Sequence, residues 1–119
     1  MDRSNPIAIL SKNFALRIVK LEKYLRDEKK EFTLSKQLLR SGTSIGANIR
    51  ESIYAQSKAD FISKMSIALK ESSESEYWLE LLHEANFLDD KSFESIYNDN
   101  NKISATLINI IKKSKTSDD

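Results

Sequence analysis

The chain has 119 residues, of which 39% are hydrophobic and 31% charged, with two Gly, one Pro and no Cys. Such a length favours one domain over residues 1–119 with one real core, and so few turn-formers favour long helices joined by short links. Nineteen Lys and Arg against 18 Asp and Glu give no overall polyelectrolyte signal, and the lack of Cys excludes disulfide scaffolds and thiolate metal sites.

No apolar run approaches the length of a membrane span. The opening MDRSNPIAIL has too short an apolar patch for a secretory signal, so a cytoplasmic protein is expected.

Asn5 and Pro6 make a helix opening, with Asn as the cap and Pro at the first helical position. Ile7, Leu10, Phe14, Ile18, Leu21 and Leu25 then keep a spacing of three or four, which predicts a first helix over about 6–27. Ile9 and Leu16 fall off that stripe and are candidates for a subunit contact. The charged run Asp27 to Glu31 reads as the first connection.

Thr33 is placed to cap a second helix over about 33–54. Leu34, Leu38, Ile45, Ile49 and Ile53 form its apolar stripe. Gln37, Ser41, Ser44, Asn48 and Glu51 form a polar stripe beside it. Gly42 and Gly46 are one turn apart and allow a close crossing by another helix. Ser57 is the next cap, opening a helix over about 58–86 marked by Phe61, Met65, Ala68, Ser72, Leu79 and Leu82. A neighbouring stripe holds Ile67, Glu71, Glu74, Trp78 and Leu81.

Asn86-Phe87-Leu88 reads as a break, with Asp89 or Asp90 capping a fourth helix over about 90–113. Phe93, Ile96, Tyr97, Ile103, Leu107, Ile110 and Ile111 carry it, and Asn100 on the same face is expected to fix helix register. The tail from Ser114 reads as polar and frayed. Four helices with short links predict an all-α, antiparallel up-down-up-down bundle.

Charge is uneven along the chain. Residues 1–30 hold eight basic against four acidic residues, and residues 58–88 hold three against six. Arg17, Lys20, Lys23, Arg26, Lys29 and Lys30 crowd the end of the first helix, while Lys112 and Lys113 close the fourth. Lysines near helix C-termini are ordinary, but in an oligomer a modest patch is multiplied and phosphate contacts add. No aromatic base-stacking platform and no zinc finger is legible.

Chemistry finds little purchase. Glu80 and His83 have the Glu-x-x-His spacing of di-iron bundles, but the chain has one His and a di-iron site needs two such motifs. Glu51, Glu71 and Glu74 could act as paired carboxylates. Their more natural role is structural, hydrogen-bonded to Gln37, Arg40, Ser44 and Asn48 across the second and third helices. Asn48 and Glu74 are therefore expected to face neighbouring helices.

The run Gln37-Leu-Leu-Arg40, then Ser44-Ile-Gly-Ala-Asn48-Ile-Arg-Glu51, resembles the signature of the four-helix-bundle family of 23S ribosomal RNA intervening-sequence proteins. Ala59-Asp-Phe61 through Lys70-Glu71, Glu74 and Tyr77-Trp78-Leu79 is similar to the family's second motif. One departure is Ser52, where many members carry Gly. The resemblance covers nearly the whole chain and implies a homopentameric ring. It is also similar to the accessory protein of diversity-generating retroelements, a pentameric barrel that binds nucleic acid and a reverse transcriptase. It implies no catalytic residue, metal or cofactor, and supports Gln37, Arg40, Ser44, Asn48, Glu51, Glu71 and Glu74 as a structural signature.

The expected function is a non-enzymatic oligomeric scaffold or accessory factor associated with RNA or DNA. Its contacts would be Arg17, Lys20, Lys23, Arg26, Lys29 and Lys30, with Lys112 and Lys113 second. The alternatives are a protein–protein interaction module without nucleic acid, and an enzyme built on the Glu51, Glu71 and Glu74 cluster.

Overall fold

Asn5 opens the first helix as its type requires: its side chain accepts the Ile7 N–H at 3.2 Å, with Pro6 next in the first turn. In this computed structural model, which describes residues 1–116, four helices follow. They are α1 (Pro6–Asp27), α2 (Leu34–Ile53), α3 (Lys58–Glu84) and α4 (Asp90–Thr116). No strand occurs among the described residues. The molecule measures 50 × 22 × 20 Å. Packing joins α1 to α2, α2 to α3, α3 to α4 and α4 back to α1, so the four helices surround one core.

The apolar stripes supply that core. Ile7, Phe14, Ile18 and Leu25 of α1 meet Leu38, Ile45 and Ile49 of α2, with Met65, Leu79 and Leu82 of α3 and Ile103 and Leu107 of α4. The stripe members Leu10, Leu21 and Leu34 are only partly buried and pack at its margin. Small residues at Ala68, Ser72 and Ser75 leave room for α3 to lie close to both neighbours. Asn100 is wholly buried; its amide donates to the Ser72 carbonyl at 2.9 Å, and its oxygen accepts the Ser72 hydroxyl at 2.8 Å. This reciprocal pair fits only one register of α3 against α4.

Helix ends follow the expected caps with one exception. Ser57 accepts the Asp60 N–H at 3.1 Å, and Asp89 accepts the Ser92 N–H at 2.7 Å. At the break after α3, Asn86 takes a left-handed φ of 67°, and the Phe87 N–H reaches back to the Leu82 carbonyl at 2.8 Å. Asn tolerates that conformation better than most residues, which is why the chain reverses there. The fourth helix continues past its expected end to Thr116, whose hydroxyl bonds the carbonyls of Lys112 and Lys113. The expectation of a frayed tail is thus corrected for Ser114–Thr116; residues 117–119 lie outside the described residues.

The exception is α2. Thr33 makes no side-chain cap, because its backbone (φ −101°, ψ −59°) is already helical rather than extended. Glu31 does the work instead: its carboxylate accepts the N–H groups of Thr33, Leu34 and Ser35 at 3.1, 2.9 and 2.8 Å. Burial pushes the Glu31 carboxyl up, but the bonds from Ser35, Leu34 and Thr33 together outweigh it and hold its pKa below the ordinary value.

A depressed folded pKa contributes stability that is full above the unfolded value, near 4.5, and lost as pH falls through the folded value. Replacing Glu31 with Ala is expected to cost about 1–2 kcal/mol at neutral pH, as lost caps do. Chemical denaturation at pH 7 and pH 3 checks this. The difference between the two proteins should shrink in acid.

Candidate nucleic-acid interface

The polar seam between α2 and α3 is only partly the one the spacing predicts. Arg40 reaches Glu71 at 3.1 Å and also bonds Glu74, so those three side chains do meet across the two helices. The hydrogen bond to Glu74, then the charge of Glu71, hold the Arg40 guanidinium pKa above its usual value. Half of Arg40 is exposed, so the cluster is a solvated surface feature of small net stability.

The remaining signature residues stay on their own helix or face outward. Ser44 donates to the Arg40 carbonyl at 2.6 Å and Asn48 to the Ser44 carbonyl at 2.9 Å, both within α2. Gln37 and Glu51 are exposed. The expected cross-helix network through Gln37, Ser44, Asn48 and Glu51 is therefore corrected. These positions lie on the outer margin of the seam, where a helical hydroxyl or amide without a partner in reach bonds back to its own turn. Glu51 is also separated from the Glu71–Glu74 pair, so the three carboxylates form no common cluster.

Buried hydroxyls do the joining instead. The hydroxyls of Ser41 and Ser75 lie 2.8 Å apart across α2 and α3, and those of Ser72 and Ser104 lie 2.7 Å apart across α3 and α4. Ala68, Ser72, Ser75, Leu79 and Leu82 follow a spacing of four and three, the seam pattern of packed helices. That spacing was the available signal for Ser75.

His83 lies in the last turn of α3, 2.7 Å from Asp90 and stacked on Phe93 with centroids 4.0 Å apart. Glu80 instead accepts the Tyr97 hydroxyl at 2.7 Å, a bond that, with burial, pushes the Tyr97 pKa up to about 12. Glu80 and His83 thus serve separate contacts to α4. No group of three or more ligand-type side chains could hold a metal among the described residues.

The cations at the end of α1 divide into two sets. Arg17 bonds Asp99 and the Ser95 hydroxyl on α4, and Arg26 bonds Glu22 one turn back at 3.1 Å. Lys20, Lys23, Lys29 and Lys30 are exposed and enter no ion pair among the described residues. Lys30 holds a left-handed φ of 55° in the turn, which directs the chain into the Glu31 cap. Lys112 and Lys113 are likewise exposed near the end of α4. The end of α1 lies beside the start of α4, because Lys20 and Tyr24 share a cleft with Asp89 and Ser92.

These features define an all-α, four-helix protein with a buried hydroxyl seam and exposed lysines at the end of α1. The chain belongs to the 23S rRNA-intervening sequence protein family, whose model matches residues 4–109. It is similar to a crystal structure of a protein with unknown function from the S23 ribosomal protein family of Bacteroides thetaiotaomicron. The two are 57% identical, with 89% of this chain and 98% of that one covered and a TM-score of 0.88. No curated protein matches the chain. No helix among the described residues is long and apolar enough to cross a membrane.

Proposed function

We propose that this protein is a non-enzymatic oligomeric scaffold or accessory factor that associates with nucleic acid, RNA in particular. The observation that carries the reading is the set of exposed lysines at the end of α1 that enter no ion pair among the described residues: Lys20, Lys23, Lys29 and Lys30. Ammonium groups free of carboxylates are available to replace the counterions of a phosphate backbone. The family's description names an intervening sequence of 23S rRNA, which supports RNA as the ligand. Lys112 and Lys113 form a smaller second set. The cytoplasm is the compartment this reading implies.

The bundle is read as antiparallel, up-down-up-down. The positions Ile18 and Gly42, then Ser11 and Gly46, approach in opposite chain order, which supports that direction for α1 and α2. His83 with Phe93 and Glu80 with Tyr97 support it for α3 and α4. A homopentameric ring completes the proposal. Ile9, Leu16 and Val19 support self-association, since about half of each is exposed on the face of α1 away from the core.

Binding of a structured RNA, measured across a salt series, tests the function. Four phosphate contacts predict a log–log slope near −3. Binding indifferent to salt would overturn the reading. The ring contact has its own test. Exchanging both Ile9 and Leu16 for Glu is expected to leave the helical signal unchanged and reduce the solution mass to that of one chain. An assembly that survives the exchange places the contact elsewhere.

A further inference from the structure

Tyr24 and Phe87 are far apart in sequence, but the fold brings them to one cleft of about 320 Å³ between α1 and the turn into α4. A hollow of about 370 Å³ adjoins it and shares Tyr24 and Phe87. Tyr24 is 44% exposed, and the Lys29 Nζ lies over its ring, 6.0 Å from the centroid. Phe87 is half-buried and Leu88 buried, and they supply the apolar part of a lining that is otherwise polar.

The charges around the rim are not equivalent. Asp89 accepts the Ser92 N–H at 2.7 Å, which holds its pKa below the ordinary value and keeps it charged; Asp90 is exposed 2.7 Å from His83, and Arg17 is bonded to Asp99. Lys20 and Lys29 are the rim cations outside any ion pair among the described residues. A part-exposed ring beside Phe87 and Leu88, with the Lys29 ammonium over that ring and Lys20 outside any ion pair among the described residues, matches the parts of one nucleotide: a planar base and an anionic phosphate.

We propose that this cleft takes a single unpaired nucleotide of a bound RNA, its base stacked on Tyr24 and its phosphate met by Lys20 and Lys29. The inference rests on the RNA reading above and narrows it. Paired bases are stacked on each other and cannot offer a face to Tyr24, so the favoured ligand is a loop, bulge or single-stranded end.

The test compares an RNA hairpin carrying an unpaired loop with a fully paired duplex of equal length, using the full chain. Wild type is expected to favour the hairpin. Tyr24→Ala should weaken hairpin binding about ten-fold or more, the usual effect of losing one base–aromatic stack, and leave duplex binding unchanged. Tyr24→Phe should keep the hairpin preference, because stacking needs the ring and not the hydroxyl. Circular dichroism confirms that both variants fold. Salt-dependent hairpin binding that is equal in wild type and Tyr24→Ala would sink the stacking site while leaving RNA association intact. Absence of wild-type binding to either RNA at low salt would sink both.

Discussion

Exchanging Lys20, Lys23, Lys29 and Lys30 together for Glu is expected to weaken binding to structured RNA by at least about 60-fold at near-physiological salt. The magnitude follows from counterion release. Four contacts give a slope near −3, so a four-fold rise in salt by itself costs about 60-fold. Removing the same contacts and adding four repulsive charges costs at least as much. All four side chains are exposed, so the fold should survive the change. Exchanging Lys112 and Lys113 should have a smaller effect, since only two contacts are lost. Fluorescence anisotropy with labelled RNA measures both. Undiminished binding by the four-fold variant would remove the exposed lysines at the end of α1 from the interface.

Substituting Gly42 with Val should destabilise the protein by about 3 kcal/mol, the upper part of the range for overpacked cores. A Cβ at Gly42 would lie 2.8 Å from Cγ1 and 3.0 Å from Cγ2 of Ile18. Ile18 is wholly buried, and its β-branched side chain has one strongly preferred rotamer in a helix. It cannot swing aside, so α1 and α2 must separate. Gly46, one turn on, behaves oppositely. Its Cβ would meet the Ser11 carbonyl and hydroxyl oxygens at 3.5 Å, an ordinary contact. Gly46→Ala should therefore stabilise by about 1 kcal/mol through helix propensity. Urea denaturation of both variants checks the difference in sign. Equal effects would mean that the close crossing at Gly42 is not there.

How far the sequence could be read depended on the reach of each interaction. The caps at Asn5, Ser57 and Asp89 were legible because a short side chain bonds an N–H two or three residues on. The α2 cap was not, because the long Glu31 side chain acts from outside the helix while the better-known capping type at Thr33 has helical backbone. Spacing placed Arg40, Glu71 and Glu74 on facing sides and they meet. The same spacing grouped Gln37, Ser44, Asn48 and Glu51 with them, since a helical repeat gives the face but not which neighbour covers it.

Ser104 gave no signal in the apolar pattern, and the stripe expected for the third helix omits Ser75 although it keeps the seam spacing between Ser72 and Leu79. Among the cations, the Arg26–Glu22 pair follows from i,i+4 spacing. The Arg17–Asp99 pair spans most of the chain and needed the fold. The Tyr24–Phe87 cleft needed it for the same reason.

Mass measurement of the native assembly, purified with and without ribonuclease treatment, tests most directly whether the molecule is an RNA-associated ring. A particle of five chains carrying RNA that ribonuclease removes is the expected result. A single chain free of RNA before any treatment would contradict it.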